Sequence, residues 1–212
     1  AARLAESGAR LHLADADAAR LDHARTHLLS LGAGSRLSTQ ILDPADPRLE
    51  GRGFDLIVLS DALAPLPAPG TLFLDCASAL SPGGRLVGVE LCRVAEGAAP
   101  QLAGTEEPDR VRSETPQPVA LPWSIGHWRS MPRVAGLHLL SEGDLNADCL
   151  SVVRDSAPRW RELPARIEAA AAGLERRLLM VAAAFEAERW AERVSGLRWG
   201  ELSVRRLVAQ RP

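Results

Sequence analysis

The clearest pattern in the chain is an almost unbroken apolar run, Phe54-Asp55-Leu56-Ile57-Val58-Leu59-Ser60. A run of this length, rich in branched side chains and without polar alternation, predicts a strand buried on both faces, as in a parallel sheet covered by helices. From Asp61 to Gly70 the prolines at 65, 67 and 69 and the closing glycine break the pattern, so the chain turns over the carboxyl end of that strand. Thr71 to Leu80 then reads as a helix, Ser81-Pro82-Gly83-Gly84 stops it, and Arg85-Leu86-Val87-Gly88-Val89-Glu90 reads as a second buried strand. Together these segments predict one right-handed strand–helix–strand unit.

Upstream, Ala1 to Gly8 has the character of the middle of a helix ended by a C-cap glycine, and Arg10 to Ala14 makes a short strand that runs into Asp15. Leu21, Ala24, Leu28 and Leu31 recur at helical spacing behind Asp17, a favoured N-cap residue. Arg36 to Leu42 predicts a third, less apolar strand nearer the sheet edge. Val94 to Pro122 has no period and is rich in proline, glycine and glutamate. Segments of that length inside a domain are commonly functional or disordered. Gly136 to Glu142 predicts another strand. Beyond it Asp155 or Ser156 caps a long helical region with Pro158 in its first turn. There Leu163, Ile167, Leu174, Leu178, Val181 and Phe185 form one apolar stripe, expected to be buried, and Pro164 and Gly173 are expected to divide it into shorter helices.

The 212 residues suit a single α/β domain. Residues 1–92 form a first half, 93–135 a lid or substrate loop, and 136–212 the last strands with a helical insertion over 156–194. The net charge of −2 is mixed throughout, which gives no basic surface for nucleic acid. All 25 basic residues are arginine, and tyrosine is absent as well. That excludes a Schiff-base lysine, a P-loop lysine and a tyrosine–lysine acid pair. Cys76, Cys92 and Cys149 lack metal-type spacing and read as reduced, buried thiols. His23 and His27 have a spacing that could hold a metal, but no third ligand is nearby, so no metal is expected. No run approaches the roughly 20 apolar residues of a membrane span, and a cytoplasmic location is expected.

Phe54-Asp-Leu-Ile-Val at one end and Leu80-Ser-Pro-Gly-Gly-Arg-Leu-Val at the other resemble the fourth and fifth strands of the Rossmann-like S-adenosylmethionine-dependent methyltransferases. The ending, Gly196 to Pro212, resembles the antiparallel last strand of the small-molecule members of that family. The resemblance implies a doubly wound, mostly parallel sheet with an antiparallel last strand and helices inserted before it. It implies S-adenosyl-L-methionine as cofactor and a small-molecule acceptor. It places the ribose hydroxyls on Asp15, with Ala16 beside it, and the adenine amino group on Asp43. Pro44 follows that acid and removes a backbone donor, and a plain turn is the other reading of Asp43. Ser60 closes the strand beside the cofactor. Trp123, Trp128 and Met131 suit either an apolar pocket wall or the packing of a short helix.

Methyl transfer depends largely on holding donor and acceptor in line, and a base is needed only where the acceptor must lose a proton. The family often has a histidine after its fourth strand, where this chain has Asp61-Ala62-Leu63. Asp61 and His127 are therefore the candidates for positioning or deprotonating an acceptor. Two other classes remain compatible with the sequence, a methyltransferase-like binding domain without catalysis and a nicotinamide-dependent oxidoreductase. The family's first strand and glycine-rich loop, central in its order 3-2-1-4-5-7-6, have no counterpart in these residues. The chain is thus expected to resemble a fragment. Its second and fourth strands are expected either to close up or to leave a gap, and in both cases to support no turnover on their own.

Overall fold

The protein is described here by a computed structural model, in which residues 2–63, 66–67, 69–94 and 123–212 are placed. The expected strand–helix–strand unit is present as β3 (Phe54–Ser60), α3 (Pro69–Ala79) and β4 (Leu80–Arg93), with the two strands parallel. β4 leaves the end of α3 directly, so Ser81 to Gly84 is built into the strand and does not form a separate turn. The register steps from Phe54↔Leu80 to Leu56↔Arg85, and the extra residues are taken up in a bulge. The two glycines make this possible. Gly83 has φ of 78°, and a Cβ on Gly84 would stand 2.7 Å from the Phe54 carbonyl oxygen.

On the far side of β4 lies β6 (Leu202–Gln210), antiparallel to both β4 and β5 (His138–Asp144), which gives the order β3-β4-β6-β5. The antiparallel last strand is therefore found where the sequence placed it. A second sheet holds β1 (Leu11–Asp15) and β2 (Leu37–Ile41) in parallel, with α2 (Ala18–Ser30) between them in sequence. Short α1 (Ala2–Glu6) ends before Gly8, whose φ is 84°, and packs Ala5 against Leu28 and Ala33. Among the described residues nothing pairs with the remaining edge of β1 or of β3. The two strands are nonetheless neighbours, since the His12 ring lies 5.8 Å from that of Phe54. Of the two expected outcomes, the gap is the one observed.

The core covers one face of the larger sheet. Leu72, Phe73 and Cys76 of α3 and Trp128 and Met131 of α4 (Ile125–Val134) meet Ile57, Leu59, Leu86, Cys92, Leu207 and Ala209. Trp128 stands edge-on to Phe73 at 5.8 Å and lies over Gly88, where a Cβ would come within 2.5 Å of the indole. The other face is open at β3. Leu56 and Val58 are 41% and 53% exposed, so this strand is buried on one face and not on both as expected. Among the described residues no helix covers it, and the apolar run by itself could not reveal that.

The helical insertion also differs from its expectation. α5 spans Asn146–Ala170 and runs through Pro158 and Pro164, while α6 spans Gly173–Trp199. The helix starts earlier than Asp155 because Asn146 is pinned. Its backbone N–H donates to Asp144, and its side-chain oxygen accepts from the Val204 amide at 2.7 Å. Of the stripe, Ile167 is buried, but Leu174, Leu178, Val181 and Phe185 on α6 are 60–70% exposed. Of the expected breaks, the Gly173 junction divides the region and Pro164 does not.

Candidate active site

Two groups of residues meet at strand ends. The first is built by β1, α2 and β2. Asp15 closes β1, and its Oδ1 accepts from the Asp17 amide at 2.8 Å and from Arg20 Nη2 at 2.9 Å, while among the described residues none donates to Oδ2. Asp17 caps α2 by accepting from the Ala19 and Arg20 amides. Those backbone bonds, the Arg20 amide first, hold its carboxyl below the usual carboxylate range. Asp15 and Asp43 come together because the Leu42 amide donates to the Asp15 carbonyl at 3.0 Å. Asp43 Oδ1 accepts from the Ala45 amide in an Asx turn, the local geometry of the turn reading, and Pro44 offers no donor. Ala16 lies exposed between Asp15 and Asp17, and Ser60 ends β3 on its exposed side. A broad concavity of about 610 Å³ runs instead along α2 and β2, lined by Leu21, Arg25, Thr39 and Glu50, and it includes none of these five.

The second group lies where β3 and β4 end. Asp61 follows β3 with φ of 51°, unusual for a residue with a side chain, and its amide donates to the Val89 carbonyl. Arg193 of α6 reaches it, Nη1 to Oδ2 at 3.5 Å, with the guanidinium 5.4 Å from the Trp190 ring centre. Cys149 of α5 is close enough for Asp61 to add to the burial that raises its thiol pKa. Beneath the turn sits Glu90, 5% exposed, whose Oε1 accepts from the amides of Ala62 at 2.8 Å and Leu63 at 3.1 Å. Burial pushes this carboxyl up to about 7, against the two amide bonds that lower it, and Asp61 adds to the rise. Beside Glu90 is a cavity of about 10 Å³ lined by Leu63, Leu91 and Trp123.

The remaining candidates are dispersed. His127 is exposed and lies 4.6 Å from Trp123, ring to ring, with its amide on the Ser124 hydroxyl that caps α4. Trp128 and Met131 belong to the core, so the packing reading applies to them, while Trp123 borders a small cavity. The expected lid falls largely on residues 95–122, outside the described residues. Burial raises the thiols of Cys76 and Cys92 to about 12, which makes them inert, and His23 and His27 are exposed on α2. Among the described residues there is no cluster of three or more metal-ligating side chains, and no helix is long and apolar enough to cross a membrane. Glu90 and Arg193 were not anticipated. Glu90 did leave a signal, being the one charge inside the apolar run Leu86 to Cys92, whereas nothing local marks Arg193.

No protein-family model matches the chain, and no curated protein matches it in sequence. Solved structures do match. Phosphoethanolamine N-methyltransferase 2 of Haemonchus contortus, in complex with phosphomonomethylethanolamine and S-adenosylhomocysteine, superposes with a TM-score of 0.72 at 14% identity. The match covers all of this chain and 46% of that one. A geranyl diphosphate methyltransferase in complex with S-adenosylmethionine gives 0.59 at 15% identity, over 97% of this chain and 70% of the other. The [4+2]-cyclase SpnF gives 0.61 at 18%, over 99% and 70%. The chain thus spans from under half to about two thirds of the lengths of these proteins. It has the Rossmann-like fold that the methyltransferases among them share, and one neighbour with that fold is a cyclase.

Proposed function

We propose that the protein transfers a methyl group from S-adenosylmethionine to a small-molecule acceptor. The observation that carries this reading is Asp15, an acid at the end of β1 whose Oδ2 is unengaged among the described residues, within a fold shared with cofactor-bound methyltransferases. The donor set fits the nucleoside end of the cofactor. Asp15 would accept from the ribose hydroxyls and Asp43 from the adenine amino group, with Ala16, Pro44 and Ser60 alongside. The cofactor supplies an electrophilic methyl on a sulfonium. Asp61, set by its own turn and by Arg193, would orient the acceptor, with Trp123 on the flank and His127 more distant. Excluding water and aligning the two reactants is the part this chain performs. Residues 1–92 would form the cofactor half, 93–135 the lid, and 136–212 the closing strands with their helices.

The reading is tested by calorimetry with S-adenosylmethionine on a form of the protein in which a strand bridges β1 and β3. Binding that Asp15→Ala weakens supports it, and equal affinity for the two proteins removes Asp15 from the site. A second reading, a ligand-binding domain without turnover, is favoured by the unpaired edges of β1 and β3, which leave the methionine end of the donor without a cradle. We therefore expect the 212-residue chain alone not to turn over. Release of S-adenosylhomocysteine above a no-enzyme control would overturn that expectation.

A further inference from the structure

The turn that follows β3 is held by a group that the proposed reaction does not use. Ala62 and Leu63 donate both amides to one oxygen of Glu90, Oε1, and among the described residues none donates to Oε2. Oε2 is not one of the fully buried side-chain atoms without a partner, which among the described residues are Trp128 Nε1 and Arg205 Nε, and Glu90 itself lines the adjoining cavity. The adjoining cavity, about 10 Å³ between Leu63, Leu91 and Trp123, is about the volume that one water requires, ~10–15 Å³. Among the described residues no ion pair to Glu90 is formed. Arg205 stands opposite it in the β4–β6 register with its Nε buried and unpaired, but its ion pairs are to Asp144 at 3.4 Å and Glu142 at 3.9 Å on β5. Cys92, two residues along β4, is a neutral thiol. The His127 ring of α4 is tilted against that of Trp123, which lines the cavity. Asp61, the nearest charge, has the same sign, and Arg193 of α6 and Cys149 of α5 lie beyond it.

We propose that Glu90 is a positioning residue of the acceptor site. When ionised, its Oε1 clamps the Ala62 and Leu63 amides and so fixes the turn that sets Asp61 against Arg193. A proton taken up on Oε2 from the cavity beside Trp123 slackens that clamp. The physical reason is that an amide bonds a carboxylate about twice as strongly as a neutral carbonyl. Asp61 is also held at a positive φ, which a loosened turn would relax. The inference rests on the reading that this strand end receives the acceptor, but it concerns the turn itself.

The test is an amide-resolved NMR titration of the 212-residue chain from about pH 5 to about pH 9. The Ala62 and Leu63 amide resonances should move together with one midpoint near 7, the value to which burial pushes Glu90. Glu90→Gln should abolish that midpoint at both amides. Asp61→Asn should keep it and shift it to lower pH, because it removes the like charge. Amides that do not titrate, or that titrate equally in Glu90→Gln, would overturn the proposal. Where Glu90→Gln fails to fold, the wild-type titration and the Asp61→Asn shift decide between the same outcomes. None of these readouts needs methyl transfer, so failure of cofactor binding would count against the functional reading and leave this one standing.

Discussion

Replacing Glu90 by glutamine has a consequence for stability whose sign and size follow from the site. Two effects oppose each other at this carboxyl. Burial removes the ionised form from water, and two amide bonds to a charged acceptor return ~1.5–3 kcal/mol each. Burial wins, since the pKa rises from the ordinary 4.5 to about 7. At ~1.4 kcal/mol for each pH unit this is ~3 kcal/mol of preference for the protonated group in the folded chain. Between those two values the folded protein binds more protons than the unfolded one, so stability falls as pH rises. The contribution is fully present below about 4.5 and is lost as pH passes about 7. Glutamine keeps an oxygen for Ala62 and Leu63 but has no charge to bury. Urea unfolding at a series of pH values should therefore show the two proteins close together near pH 5. Near pH 8 the variant should be more stable, by up to ~3 kcal/mol. Curves that run parallel across the series, or a variant that is weaker at pH 8, would show that the amide bonds outweigh desolvation and that the reasoning is wrong.

Other outcomes are expected at separate places in the fold. Asp15→Ala should weaken S-adenosylmethionine binding roughly tenfold or more, the loss of hydrogen bonds worth ~1.5–3 kcal/mol each, as read by calorimetry on the bridged protein. Gly88→Ala drives a methyl into the Trp128 indole and should cost ~1–3 kcal/mol, seen as a lower melting temperature. Asp75 is buried and accepts from the Leu49 amide at 2.7 Å and from Arg52 at 2.9 Å. Asp75→Ala should leave that amide unpaired and cost ~1–3 kcal/mol in the same assay. Leu178→Gln lies on the exposed stripe of α6 and should change stability by no more than ~0.5 kcal/mol, whereas a loss of ~2 kcal/mol or more would show that the stripe is covered.

The sequence by itself determined the elements whose causes are local. The strand at Phe54, Asp17 as a helix cap and Gly8 as a helix end each act through a few adjacent residues, and each is found where the pattern put it, whereas Ser81 to Gly84, expected to stop a helix, is built into β4. It also determined that Asp15 would close a strand, whereas its nearness to Asp43 came from the pairing of β1 with β2. Tertiary structure alone decided which faces are covered. An apolar residue is buried only where another element packs against it, so Val58 and Phe185 are exposed while Trp128, equally legible as a pocket wall, is sealed under Gly88. It also decided the start of α5, which depends on Asn146 bonding to a strand 58 residues away in sequence. The acceptor end required most of the folded chain. Glu90 stood out as a lone charge in an apolar run, but its role appeared only when the turn at Ala62 was laid over it, and Arg193 reaches Asp61 across 132 residues of sequence. No local pattern encodes such a meeting, because it depends on how separate helices and strands are packed, which is settled only when the burial of the whole chain is settled.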